Sequence, residues 1–196
     1  MCIRDRTVTS MLETVEAGDA GESFSIITTL GAAGQVAVEL RSRMVIRGTG
    51  LRSRAASAPP KTETPPPDVL FEATETVDED QTYRYAEASG DHNLIHTDPD
   101  FAKNTAGLPG IIVHGMCTMA FACRAVLDGA ATGDPLRLRS VTVEFARPVF
   151  PGQTLTTRGW LEPDSAPEAG YRTFGFETLN PRGQQVIKSG RAEINP

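Results

Sequence analysis

The sequence predicts an α+β fold in which an antiparallel sheet wraps around one long helix. Three observations carry this expectation. Strand-length segments alternate apolar and polar residues, one segment alone has strong helical spacing, and "NPRG" at Asn180–Gly183 reads as a tight turn between two strands.

The elements follow in chain order. In "QVAVELRSRMVIRG", Val36, Val38, Leu40, Met44 and Ile46 share one parity, and Glu39, Arg41, Arg43 and Arg47 share the other. That alternation predicts a strand with one buried face. "VLFEATE" supplies a further strand, opening the second half of the chain. The helix is "GMCTMAFACRAVLDGA", where Met116, Met119, Ala120, Cys123, Val126 and Leu127 recur at helical spacing and Gly129 is a stop signal. It is apolar over most of its circumference, so a sheet should enclose it rather than leave it outside. Val141, Val143 and Phe145 alternate with Thr142 and Glu144, and "QTLTTRGWLEP", "YRTFGFETL" and "QQVIKSGRAEI" complete the strands. One buried helix enclosed by an antiparallel sheet is the hot-dog arrangement.

A composition shift divides the chain. "AASAPPKTETPPPD" (Ala55 to Asp68) is proline-rich and nearly devoid of apolar bulk, the composition of an extended connector. The expected organisation is 1–50 as strands of a first unit, 51–67 as linker and 68–196 as the complete unit. The two sides echo each other: Thr29-Leu30 and Gly34-Gln35 answer to Thr178-Leu179 and Gly183-Gln184, and "RDRTVTS" faintly matches "RLRSVTV". An ordered series of this kind suggests duplication of one unit. The first copy lacks a counterpart of the stretch from about Asp68 to Leu136, so the chain reads as beginning inside its first repeat.

Charge and cysteine usage exclude several classes. A net charge of −6 disfavours nucleic acid or an anionic membrane as main partner. Cys2, Cys117 and Cys123 form no CxxC pair, which suggests a reducing compartment. No apolar run is long enough for a membrane span, and "MCIRDRTVTSM" is too charged for a secretory signal. The expected setting is cytoplasmic.

All three histidines lie in or beside one polar cluster, "SGDHNLIH" (Ser89 to His96) and the later "HGM". Three readings compete. His92 and His96, with Asp91, Asp98 and His114, offer metal-type donors, but the turn-forming residues around them undercut the helical spacing that would align the two histidines. Asp, Asn and Thr also crowd ordinary loops, where they bond to nearby backbone. In the third reading, Asp91 and His96 hold a water and move protons at neutral pH, Asn93 fixes water or substrate, and Gly115 exposes a backbone N–H at the start of the buried helix. A helix N-terminus suits an oxyanion. Such a set serves the addition of water to a thioester-activated double bond.

"YAEASGDHNLIHTDPDFAK" followed by "GIIVHGMCTMAFACRAVL" and "VEFARPVFPGQTL" resembles the MaoC-like, or hydratase 2, family of (R)-specific enoyl-CoA hydratases. The likeness runs from about Asp68 to Ile194, and this stretch is similar to the double hot-dog type found in peroxisomal multifunctional enzymes. It implies that the first strands belong to a degenerate N-terminal hot dog and that 68–196 is the catalytic domain. It also implies Asp91 and His96 as the catalytic pair, Asn93 as their supporting amide and the Gly115 N–H as oxyanion donor. Asp91, His92, Asn93, Leu94, Ile95, His96, Gly115 and Phe145 would line the acyl-CoA site.

The implied reaction is reversible syn hydration of a trans-2-enoyl-CoA to the (R)-3-hydroxyacyl-CoA. It needs no metal or redox cofactor, CoA serving only as carrier, and a homodimer or an internal pseudo-dimer of hot dogs is expected. The alternatives are dehydration of acyl chains on acyl-carrier protein and non-catalytic binding of acyl thioesters. One departure stands out: the family carries Asn-Pro where this chain has Asn93-Leu94, which puts the loop's rigidity in question. His92 falls at a variable position, His114 is expected to be structural at the helix start, and Cys117 and Cys123 to be core. Arg147 and Arg158 are candidates for CoA phosphates.

Overall fold

A computed structural model describes residues 6–18, 21–46, 68–163 and 170–196. Two compact units emerge, Met1–Thr64 and Pro65–Pro196. The proline-rich connector expected at 51–67 lies outside the described residues.

The first unit is an antiparallel meander of β1 (Arg6–Gly18), β2 (Gly21–Ala32) and β3 (Gln35–Ile46), in the order β1-β2-β3. Ala33 (φ 50°) and Gly34 (φ 76°) make the turn between β2 and β3, both with positive φ as a two-residue hairpin of primed type requires. In the second unit Gly183 (φ 69°) takes the left-handed position of a longer turn, Asn180–Gln184. The meander repeats the order of three strands of the second unit, Thr154–Leu161, Arg172–Leu179 and Gln185–Ile194, so by topology β1 answers to Thr154–Leu161. The faint match of "RDRTVTS" with "RLRSVTV" pointed instead to the strand Leu138–Phe145, which the strand order does not place beside the counterpart of β2.

Cross-strand register gathers Val8, Leu30 and Val38 in one row and Val15, Phe24 and Met44 in another, so one face of the meander is apolar. Leu30 pairs with Val38 but Gly31 pairs with Val36, a bulge that turns Val36 to the opposite face. The predicted burial of β3 does not hold: Val38 is 54% exposed, and Leu40, Met44 and Ile46 are exposed too. Patterning identifies the apolar face, but it does not supply a layer to cover it. Among the described residues this unit contains no helix.

The second unit is a five-stranded antiparallel sheet in the order β4-β6-β7-β8-β5. Its strands are β4 (Phe71–Thr76), β5 (Leu138–Phe145), β6 (Thr154–Leu161), β7 (Arg172–Leu179) and β8 (Gln185–Ile194). Helix α3 (Gly115–Ala130) lies across it and touches all five strands. Ala122 and Val126 pack on Phe174, Phe176, Ile187, Ala192 and Ile194. A second cluster of Val77, Val113, Cys117, Val149, Leu155 and Val186 lies under the start of the helix.

The helix is therefore where the sequence places it, but rotated. Its buried residues are Cys117, Thr118, Ala122, Ala125 and Val126, whereas Met116 and Ala120 face outward with Arg124 and Asp128. When a helix is apolar nearly all round, periodicity does not fix which stripe faces the sheet. Small residues won here because they let the helix come close. Phe71 marks that closeness: its ring fills the notch between Gly129 of α3 and Gly159 of β6, and a Cβ on either glycine would overlap it.

Candidate active site

Two chain segments build the site. The first begins where α1 (Gln81–Ser89) ends at Gly90, whose φ of 77° is left-handed and whose N–H returns to the Ala86 carbonyl. Two overlapping side-chain turns follow. Asp91 Oδ1 accepts the Asn93 N–H at 3.2 Å, and Asn93 Oδ1 accepts the Ile95 N–H at 3.3 Å. Asn93 thereby caps a single helical turn, α2 (Leu94–Thr97), where the sequence suggested irregular loop. These bonds supply the rigidity that the missing proline put in question. Asp98 accepts the N–H groups of Asp100 and Phe101 at 2.9 and 3.0 Å, which commits it to the next turn, Phe101–Thr105, rather than to the polar cluster.

The second segment runs from Ile112 into α3. The Val113 N–H donates to the Val149 carbonyl and the Ile112 N–H to the Ile95 carbonyl, at 2.8 and 3.1 Å. His96 Nδ1 lies 2.8 Å from the Ile112 carbonyl. A carbonyl can only accept, so Nδ1 carries the proton and Nε2 of neutral His96 keeps its lone pair. His114 Nε2 likewise donates to the Asp91 carbonyl at 2.9 Å. The His96 and His114 rings stack with centroids 3.8 Å apart, and Tyr85 of α1 lies 4.8 Å from the His114 ring.

Asp91, His96 and His114 each offer a donor atom, and these atoms all lie within 4.8 Å of one another. Asp91 is exposed, while His96 and His114 are buried at 8% and 2% exposure. Burial, chiefly, lowers the proton affinity of His96; the Ile112 carbonyl opposes this, the His114 ring adds to it and Asp91 opposes it. The imidazole is thus held neutral at neutral pH. Burial raises the Tyr85 hydroxyl, and nearby Cys117 and Asp91 raise it further. A metal would find three donors in reach, although the Nδ1 of His96 and the Nε2 of His114 are each spent on a carbonyl.

Gly115 is the first residue of α3, where helix geometry leaves backbone N–H groups without intrahelical partners. It is exposed, and the half-exposed Phe145 ring stands over it, 3.4 Å from where a Cβ would lie. Ile95 is half-buried and ties the two segments through its carbonyl, whereas Leu94 is exposed. His92 turns away: its Nδ1 lies 3.8 Å from the Glu87 carboxylate on α1. Cys117 is buried and Cys123 half-buried, as expected for core residues.

Sequence reasoning missed one contributor, Tyr85. It sits on α1, a polar helix whose only buried residues are Thr82 and Ala86, so no apolar spacing announced it. His114, expected to be structural at the helix start, is buried there and joins the Asp91 backbone to the His96 ring.

A family model described as "MaoC like domain" matches residues 61–168. The chain belongs to the MaoC-like family. Across 148 residues it is 41% identical to the mouse protein named peroxisomal multifunctional enzyme type 2, covering 76% of this chain and 18% of that protein. It is 47% identical over 106 residues to the Arabidopsis thaliana protein named enoyl-CoA hydratase 2, peroxisomal, covering 54% of this chain and 31% of that one. A crystal structure of a MaoC-like dehydratase from Phytophthora capsici superposes with a TM-score of 0.81 at 27% identity, covering 97% of this chain and 64% of that chain. The fold is thus the MaoC-like hot dog, and this chain spans less than a third of the length of those two curated relatives.

Proposed function

We propose that this chain catalyses the reversible syn addition of water to a trans-2-enoyl-CoA, giving the (R)-3-hydroxyacyl-CoA. The observation that supports this best is the gathering of Asp91, His96 and His114, with donor atoms within 4.8 Å and the His96 Nε2 lone pair unspent, beside the start of α3 at Gly115. The names of the two curated relatives point the same way.

Asp91 and His96 hold one water between them. One of the pair takes a water proton as the oxygen bonds to the β-carbon, and the pair returns a proton to the α-carbon on the same face. Charge that gathers on the thioester oxygen meets the N–H of Gly115 and the positive end of α3. The absence of a Cβ at Gly115 lets that oxygen approach, with the Phe145 ring forming the opposite wall. Asn93 keeps its side-chain NH₂ for water or substrate, because its oxygen is spent on the cap. No metal, redox group or other cofactor takes part, and CoA is only the carrier.

The assay is the loss of enoyl-thioester absorbance with a short and a long enoyl-CoA. Asp91→Asn and His96→Gln should each lower kcat by about 100-fold or more, since acid–base groups contribute on that order, with unchanged circular dichroism. Full activity in either variant would sink the mechanism. Dialysis against a chelator should leave the rate unchanged, and a loss restored by added metal would revive the metal reading.

The setting belongs to the same proposal. We keep a reducing compartment, and the cytoplasm in particular, as the reading from cysteine usage. Both curated relatives are named as peroxisomal, so cell fractionation decides between the two compartments. A pairing of hot dogs, within one chain or between two, is proposed as the working assembly, and light scattering measures it.

A further inference from the structure

We infer that a groove beside the candidate active site binds the phosphorylated nucleotide end of the thioester's carrier, through Arg147 and Arg182. This rests on the thioester reading above and adds to it where the carrier is held.

The groove encloses about 400 Å³ and is lined by Pro109, Arg147, Pro148, Phe150, Arg182 and Gln184, among others. It contains two arginines and no carboxylate. Elsewhere among the described residues, Arg41, Arg43, Arg84, Arg124, Arg139 and Arg158 each pair with a carboxylate, whereas Arg137, Arg172 and Arg191 do not but lie outside the groove. Among the described residues, neither Arg147 nor Arg182 has an ion-pair partner. The sequence offered Arg147 and Arg158 as equal candidates for phosphate, and the structure separates them. Arg158 is spent on the buried Glu177 carboxylate at 2.5 Å.

Arg147 is also positioned in advance, and the backbone that carries Arg182 is held in place. Arg147 Nη1 donates to the Gln185 carbonyl at 3.0 Å, which fixes its guanidinium and leaves the other N–H groups for a ligand. Arg182 springs from the turn between β7 and β8, where Asn180 Oδ1 accepts the N–H groups of Arg182 and Gln184 at 3.0 and 3.1 Å. A planar fork of donors held in place is what phosphate oxygens select.

The groove is joined to the candidate site along the chain. Arg147 follows two residues after Phe145, whose ring covers Gly115. Val149, between the lining residues Pro148 and Phe150, takes the N–H of Val113, the residue before His114. A thioester carbonyl at Gly115 therefore has its carrier's exit along this strip. A CoA-type carrier bears its phosphates at the end remote from the thioester, as this layout requires.

The test compares one enoyl group on CoA and on N-acetylcysteamine, which lacks the nucleotide. In Arg147→Gln/Arg182→Gln, KM for the CoA ester should rise about tenfold or more, the scale of losing charge-assisted bonds, while KM for the small thioester moves less than about twofold. An unchanged KM for the CoA ester, or an equal rise for both esters, overturns the inference. The latter result would point to a general effect on the site. Titration calorimetry with adenosine 3′,5′-bisphosphate gives a readout that needs no turnover. The wild-type chain should bind it and the double variant should not; failure of the wild type to bind it also overturns the inference. Binding of the bisphosphate without hydration of either ester would count against the hydratase reading alone and leave the groove assignment standing.

Discussion

His96 can serve as a proton acceptor at neutral pH because burial outweighs the carbonyl and carboxylate that favour its charged form. The pH profile should show it. Turnover needs neutral His96, so kcat/KM should fall as pH drops, and the midpoint of that fall should lie below the ordinary imidazole range. A midpoint above that range would contradict the assignment. Stability carries the same sign: the unfolded chain binds more protons at His96 than the folded one, so stability declines as pH falls through the window below the ordinary imidazole value. His114 can be dissected by two substitutions. His114→Phe keeps a ring beside His96 but removes the donor to the Asp91 carbonyl, and kcat should fall about 10- to 100-fold, the cost of slight misplacement of a reacting group. His114→Gln keeps a donor and removes the stack, and should cost less. Both remove one of the influences that lower His96, so in both the acid limb should move to higher pH. A purely structural role would leave that limb in place.

At the scale of elements, the closest approach of α3 to its sheet is set by Phe71 in the notch of Gly129 and Gly159. Gly159→Ala should destabilise by about 1–3 kcal/mol through overpacking. The urea midpoint would fall with little change in slope. Gly129→Ala should cost less, because alanine regains about 1 kcal/mol of helix propensity. The reverse ranking would show that the ring, not the helix, gives way. The ends of α3 and the strands of the second unit were legible in the sequence because alternation and helical spacing record them directly. The phase of α3 was not, since Met116 and Ala120 are as apolar as the residues that face the sheet. Helix α1 was invisible for a related reason: it buries only Thr82 and Ala86. Of the candidate site, Asp91, Asn93 and His96 stand in one compact motif, Gly115 opens the one conspicuous helix, and Phe145 came from the family resemblance. The roles of His114 and Tyr85 depend on contacts through space, which spacing along the chain does not encode.

At the scale of the whole molecule, the first unit presents a three-stranded sheet whose apolar face is exposed at Val8, Leu12, Val15, Val38, Leu40, Met44 and Ile46. Continuous apolar surface of this kind is rare on a soluble fold. The native chain should therefore bind a hydrophobic dye such as anilinonaphthalene sulfonate, and Val38→Thr/Leu40→Thr should weaken the signal without lowering the denaturation midpoint of the second unit. That has a practical edge. Dye uptake is the usual sign that a protein has loosened into a molten state, and here a fully folded molecule would give it. A dye-monitored melt would start bright and could even dim on heating. The chain's only tryptophan, Trp160 on β6, is the more faithful reporter, and it reports on the second unit alone.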